Sequence, residues 1–173
     1  MKLKPNEALF ALTLAWTVAR VSEVLALTAS SFQIECGIVA IRTLKRRRHH
    51  VREVPIPPEL IAALNGHFGL SSARRDPQHA DCRLWPWHRS TAWRLIKHAM
   101  KLAGIVGIRA SPRGLRHAFG VVTLQRRVPS NLRQKWMGHS RPETTAIYSD
   151  VCGPEEFAFA RRFWCGTEEV GFG

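Results

Sequence analysis

The sequence has little tyrosine, little cysteine and no long apolar run. Tyr148 is the single tyrosine in 173 residues, and the four cysteines lie far apart with no C-x-x-C pair among them. That spacing argues against a secreted disulfide framework and against the common zinc motifs. We expect the cysteines to be small buried residues in a reducing cytoplasm. No apolar stretch approaches the ~18 residues of a membrane helix, so residues 9–18 are expected to form a core helix.

Acidic residues are missing from the middle of the chain. There is none between Asp81 and Glu143, whereas thirteen lysines and arginines lie there, and the formal net charge of the chain is +13. A long stretch with only positive charges is typical of a protein that binds a polyanion, most commonly nucleic acid. An anionic membrane surface fits less well, because the basic residues are spread over several elements. A second stretch without acids carries Arg42, Lys45, Arg46, Arg47, Arg48 and Arg52, of which Arg46, Arg47, Arg48 and Arg52 are expected to contact DNA.

Hydrophobic periodicity predicts a mainly helical chain with one small sheet. The predicted strands are residues 32–35, 38–43 and 51–56, with residues 45–50 as an exposed hairpin tip. Residues 69–81 are expected to form a loop. Helices are predicted over 6–16, 20–27, 90–103, 112–127, 130–137 and 154–164, with others starting at Pro57 or Pro58 and, through a capping box, at Ser140. The expected fold is mainly α with a small three-stranded antiparallel β-sheet (α+β), in one domain over residues 1–173 with its core at about 6–164.

Several basic residues stand where they suit phosphate chemistry. Arg113 and Arg116 lie one helical turn apart with His117 beside them, and guanidinium forks match phosphate oxygens. Arg20 lies in an apolar helical stretch, where an unpaired charge is costly. Each has an ordinary alternative: a solvated basic face for the arginine pair, and an ion pair with Glu23 for Arg20.

His139 and Tyr148 complete this set of candidate residues. His139 follows Gly138 between two predicted helices, where capping of carbonyl groups is its ordinary role. Tyr148, taken alone, would most often be a core aromatic with its hydroxyl at the surface. A phenol has a pKa near 10, so it needs surrounding positive charge to act as a nucleophile at neutral pH. Converging arginines would supply that charge without a metal.

In this order, these stretches resemble the catalytic domain of the tyrosine recombinase (phage integrase) family. The resemblance covers residues 6–164 and rests on residues 17–27, 43–46, 111–119, 137–139 and 144–148. It implies site-specific DNA strand exchange through a 3′-phosphotyrosyl intermediate, with no metal, ATP or other cofactor. The sequence has neither a Walker loop nor a carboxylate cluster for magnesium, which agrees with that expectation.

The resemblance also implies a role for each residue. Arg20 and Arg116 would bind the scissile phosphate, and Lys45 would protonate the departing 5′ oxygen. His139 would donate to a phosphate oxygen, and Tyr148 would be the nucleophile. The implied catalytic set is Arg20, Lys45, Arg113, Arg116, His139 and Tyr148, supported by Glu23 and His117.

Two features depart from the family pattern. Arg113 stands where the family usually has His or Lys, and arginine is a poor proton shuttle because of its high pKa. The N-terminal core-binding domain common in the family is expected to be absent from this chain, which would then be an isolated domain, a truncation or a minimal recombinase. The expected partner is double-stranded DNA, with self-association into a tetramer on paired DNA sites and no membrane partner. Relaxation of DNA by a type IB topoisomerase-like activity and DNA binding without catalysis stay open as alternatives.

Overall fold

Helices and one small antiparallel sheet make up the computed structural model, which describes residues 2–43, 50–138 and 154–165. The predicted fold class, mainly α with a three-stranded antiparallel sheet, is confirmed. Within the described ranges, no helix has the length and apolar character needed to cross a membrane. The elements are α1 (Pro5–Thr17), α2 (Val21–Val24), β1 (Phe32–Gln33), β2 (Ile38–Thr43), β3 (His50–Pro55), α3 (Pro58–Phe68), α4 (Leu70–Ala73), α5 (Arg89–Leu102), α6 (Pro112–Gln125), α7 (Ser130–Met137) and α8 (Pro154–Cys165).

The sheet has the order β1-β2-β3, and both pairs of neighbouring strands are antiparallel. In the longer pair the register runs from Ile38 opposite Pro55 to Thr43 opposite His50. Side chains alternate between the two faces, so Val51 is 55% exposed while Arg52 is only 2% exposed. This alternation carries one charged residue of β3 into the interior.

Local capping fixes where the helices begin and end. Glu7 accepts a hydrogen bond from the backbone N–H of Lys4 at 2.9 Å, and Pro5 provides the first residue of α1. The hydroxyl of Ser111 caps α6 by accepting from the N–H of Gly114 at 3.2 Å. At the end of α7, Gly138 adopts a left-handed conformation with φ +62°. These caps set the positions of the residues that flank them.

Two segments differ from the sequence-based expectation. The predicted helix over residues 20–27 is regular only over Val21–Val24, and Val18, with a left-handed φ of 53°, separates it from α1. The segment 69–81, expected to be a loop, contains the short helix α4, whose Leu70 is fully buried. The polar composition of this segment gave no indication that Leu70 would pack into the core.

The expectation that the cysteines are buried is wrong for the three that the structure describes. Cys36, Cys82 and Cys165 are all exposed. They lie in the turn after β1, in the irregular segment before α5 and at the end of α8. Burial is decided by whether a position faces the core, and these three positions do not. Cys152 lies outside the described residues.

Candidate functional site

The break between α1 and α2 places Arg20 directly before a buried carboxylate. Val18 is 2% exposed and turns the chain, and Arg20 then precedes the first residue of α2. The backbone N–H of Arg20 donates to Oε2 of Glu23 at 2.8 Å, and its Nη1 donates to Oε1 at 2.9 Å. One carboxylate therefore fixes both the backbone and the guanidinium of Arg20. The Arg20 side chain keeps 29% of its surface exposed.

Arg52 is the second partner of Glu23, and it lies in the interior. Its Nη2 donates to Oε2 of Glu23 at 2.7 Å, its Nε to the carbonyl of Trp136 at 2.9 Å, and its Nη1 to Oγ1 of Thr43 at 3.1 Å. The prediction that Arg52 contacts DNA is therefore wrong. Sequence proximity grouped it with the basic hairpin, whereas the alternation of β3 turns it inward.

Arg116 joins two other parts of the chain at the same place. It lies on α6 and is half-buried, with Nη2 donating to the carbonyl of Met137 at 2.8 Å and Nη1 donating to the carbonyl of Val18. Since Val18 is two residues before Arg20, the structure brings Arg20 and Arg116 together across 96 positions of sequence. Two of the five N–H donors of Arg116 are used in these bonds to the described part of the chain.

The charges of this cluster leave it positive. Burial, together with the nearby charges of Arg20 and Arg52, lowers the pKa of Arg116 to about 10, so the guanidinium stays protonated at neutral pH. Burial raises the pKa of Glu23, but hydrogen bonds from Arg52 and Arg20 outweigh it and bring that pKa below its ordinary value. Among the residues that the structure describes, three guanidinium groups thus lie near one carboxylate. The excess positive charge suits an anion such as a phosphodiester.

The remaining predicted residues fall into two groups. Arg113 and His117 are exposed in the first turns of α6, on the helix that carries Arg116. Lys45, His139 and Tyr148, together with Arg46, Arg47 and Arg48, lie outside the described residues. The elements that lead to them are described: Thr43, at the end of β2, accepts from Arg52, and Gly138 ends α7.

Sequence reasoning missed two kinds of participant in this cluster. The first is the inward role of Arg52, although the alternation with buried Val54 two residues later could have indicated it. The second is the set of backbone carbonyls of Val18, Trp136 and Met137, which accept from Arg116 or Arg52. Carbonyl groups carry no sequence signature, so their roles appear only in three dimensions.

Gly138 is expected not to tolerate alanine. A Cβ added there would lie 3.0 Å from Cζ and Nη1 of Arg52, and its φ of +62° is unfavourable for any L side chain. Gly138→Ala should therefore lower the free energy of unfolding by about 1–2 kcal/mol, measured by urea titration. Gly66→Ala is the control, because it lies in α3 with open space around the added methyl and should be neutral or slightly stabilising. Equal losses in both variants would contradict this expectation.

Known proteins resemble this chain in sequence and in fold. Residues 2–152 match the family model described as phage integrase family. The tyrosine recombinase XerD of Yersinia pestis is 32% identical over 141 residues, which are 78% of this chain and 46% of that protein. The solved structure of an integrase from mycobacterium phage Brujita superposes with a TM-score of 0.69 at 20% identity, over 94% of this chain and 53% of that one.

A second solved structure shows the same fold. XerH site-specific recombinase, in a pre-cleavage complex with its difH substrate, has a TM-score of 0.62 at 19% identity, over 95% of this chain and 49% of that one. At these identities the likeness to the solved structures concerns the fold. The chain spans about half the length of each of these relatives.

Proposed function

The chain belongs to the phage integrase family, and on this basis we propose that it cuts and rejoins DNA strands at specific sites through a covalent link to Tyr148. The observation that carries the proposal is the convergence of Arg20 and Arg116 around one buried carboxylate. Two guanidinium groups held at fixed positions match the two non-bridging oxygens of a phosphodiester.

The proposed reaction is a transfer of the phosphoryl group to tyrosine and back. The Tyr148 hydroxyl oxygen attacks the phosphorus and loses its proton to solvent water, the bond to the 5′ oxygen breaks, and Lys45 protonates that oxygen. The product is a 3′-phosphotyrosyl link and a free 5′ hydroxyl. Attack by a 5′ hydroxyl reverses the step and releases the tyrosine. Because one phosphoester bond replaces another, the exchange needs no nucleotide hydrolysis.

The other predicted residues have supporting roles in this proposal. His139 and Arg113 donate to the oxygens of the phosphate, and the fixed donors stabilise the charge that develops in the transition state. Glu23 orients Arg20. His117 lies on α6, beside Arg116, and has a supporting role there. Arg46, Arg47 and Arg48 contact the DNA backbone without selecting bases.

The proposed partners are double-stranded DNA and further copies of this chain in the cytoplasm, with a tetramer forming on paired DNA sites. Within the chain, α8 buries Phe163 against Trp16, with ring centroids 5.1 Å apart. Phe157 and Trp164 of α8 line an adjoining groove. We propose that copies associate through this region when DNA brings them together.

A covalent trap tests the function. Duplexes bound by the wild-type chain would be selected from a randomised pool, and versions nicked at successive positions would be incubated with protein, so that a short 5′-hydroxyl fragment diffuses away after cleavage. We expect a protein–DNA adduct that survives detergent and ends in phosphotyrosine. Tyr148→Phe should form none, because it lacks the attacking oxygen.

Three outcomes would contradict the proposal. An adduct that persists in Tyr148→Phe would assign the nucleophile to another residue. Retention of DNA with a steep salt dependence and no cutting would indicate a binding module. Relaxation of supercoiled plasmids regardless of sequence would indicate topoisomerase activity.

A further inference from the structure

Arg52 presents its guanidinium donors to three different elements while its side chain is 1% exposed. We propose that Arg52 is a positioning residue for DNA cleavage: it fixes, through Glu23 and through the end of α7, the two arginines that bind the phosphate. This inference rests on the proposed function of the site. Arg52 itself is out of reach of DNA, because its side chain is enclosed by protein.

The link to Arg20 runs through Glu23. Oε2 of Glu23 accepts both the Nη2 of Arg52 at 2.7 Å and the backbone N–H of Arg20 at 2.8 Å, while Oε1 accepts the Nη1 of Arg20 at 2.9 Å. Because Arg52 donates to one of its oxygens, the carboxylate of Glu23 has few alternative orientations. The rotamer of Glu23, and with it the direction of the Arg20 guanidinium, therefore depends on Arg52.

The link to Arg116 runs through the last residues of α7. The Nε of Arg52 holds the carbonyl of Trp136, and the Nη2 of Arg116 holds the carbonyl of the next residue, Met137, at 2.8 Å. Gly138 follows, and the closeness of its backbone to the Arg52 guanidinium leaves little space for even one methyl group. Movement of Arg52 therefore displaces the carbonyl that seats Arg116.

Only a guanidinium satisfies all three elements at once. It is planar and offers five N–H donors in a fixed fork, whereas the ammonium of lysine is a compact point charge. Lysine at position 52 is expected to keep the charge opposite Glu23 and to lose the simultaneous bonds to Trp136 and Thr43. We therefore expect Arg52→Lys to restore only part of the activity that Arg52→Met loses.

Single-turnover cleavage of the selected duplex tests the inference. Arg52→Met should slow cleavage by about 10- to 100-fold, with DNA affinity changed by less than about threefold, since misplacing a catalytic group affects the transition state more than binding. Leu64→Ala is the matched control for lost stability, because Leu64 is fully buried in α3, which carries none of the site residues. At a temperature where every variant is folded, the control should cleave at the wild-type rate.

A modified substrate separates phosphate positioning from proton donation. Sulfur in place of the bridging 5′ oxygen leaves without needing a proton, so it removes the demand on Lys45. If Arg52 acts through Arg20 and Arg116, Arg52→Met stays equally slow on this substrate. Restoration of the wild-type rate by sulfur would overturn the inference and assign Arg52 to the hairpin acid instead.

A measurement without DNA covers the case in which the proposed function fails. The Nε–H resonances of Arg20 and Arg116 in NMR spectra should shift or broaden in Arg52→Met and stay in place in Leu64→Ala. Unchanged resonances would overturn the inference whatever the activity. Wild-type protein that forms no adduct would refute the proposed function, whereas Arg52 variants that cleave as fast as wild type would refute this inference alone.

Discussion

Replacing Arg116 with alanine is expected to slow DNA cleavage about 100- to 1000-fold, the loss typical of removing one fixed donor from a transition-state site. The change removes a charged guanidinium that the structure anchors on the carbonyls of Val18 and Met137. Single-turnover formation of the covalent adduct, at DNA concentrations well above the dissociation constant, measures the loss. Arg116→Lys should recover only part of the rate, because it keeps the charge but not the fork.

A second arginine separates this effect from the general loss of charge. Arg75→Ala removes the same kind of residue from an exposed position just after α4 and should cleave at close to the wild-type rate. Circular dichroism should accompany the assay, because Arg116→Ala also leaves two carbonyls without their donors. A rate in Arg116→Ala within tenfold of wild type would remove Arg116 from the proposed phosphate site.

Glu23→Gln is expected to lower the free energy of unfolding by about 3–5 kcal/mol, because it leaves the buried charge of Arg52 without its counter-ion. Glu23 is 1% exposed and Arg52 is 2% exposed, so water does not replace the lost carboxylate. Urea titration measures the change. Glu53→Gln is the matched control, since Glu53 lies next to Arg52 on β3, is half-buried and accepts a hydrogen bond from the side chain of Gln33 at 3.1 Å.

A compensating variant distinguishes a charge effect from a packing effect. Removing both charges, with Glu23→Gln and Arg52→Met together, should recover part of the stability lost in Glu23→Gln alone. Losses that simply add would indicate that the pair contributes through shape rather than through charge.

The same carboxylate makes stability depend on acid. Because the folded state lowers the pKa of Glu23 below its ordinary value of 4.5, its contribution is complete above that value and is lost as the pH falls through the folded-state pKa. Wild-type protein should therefore lose stability below about pH 4.5 more steeply than Glu23→Gln. Parallel losses in the two proteins would contradict the ionised state of Glu23.

Much of the fold could be predicted from local sequence patterns. Strand β2 and helix α7 have the predicted bounds, since alternation identifies the strand and proline and glycine flank the helix. The left-handed turn at Val18, between α1 and α2, was not predicted, because it occurs at a β-branched residue rather than at glycine. Its cause is tertiary: the carbonyl of Val18 meets the guanidinium of Arg116.

Part of the candidate site could likewise be predicted from the sequence, and part could not. Arg20, Glu23 and Arg116 were predicted from charge in unusual settings and from their order along the chain, and the structure brings them into one cluster. Arg52 was assigned to the surface because its neighbours in sequence are basic. The charges of neighbouring residues do not show which face of the sheet the Arg52 side chain occupies, whereas the pairing of β2 with β3 does.

Because β2 and β3 pair in a fixed register, inserting or deleting a residue within β3 has a different consequence from substituting one. Shifting β3 by one position would turn Arg52 outward and offer Val51 or Glu53 to the carboxylate of Glu23. A single inserted codon within β3 would then undo the ion pair, the carbonyl bond to α7 and the seat of Arg20 in one event. An insertion or deletion within β3 is therefore expected to be more damaging than a substitution at an exposed position of the same strand, such as Val51.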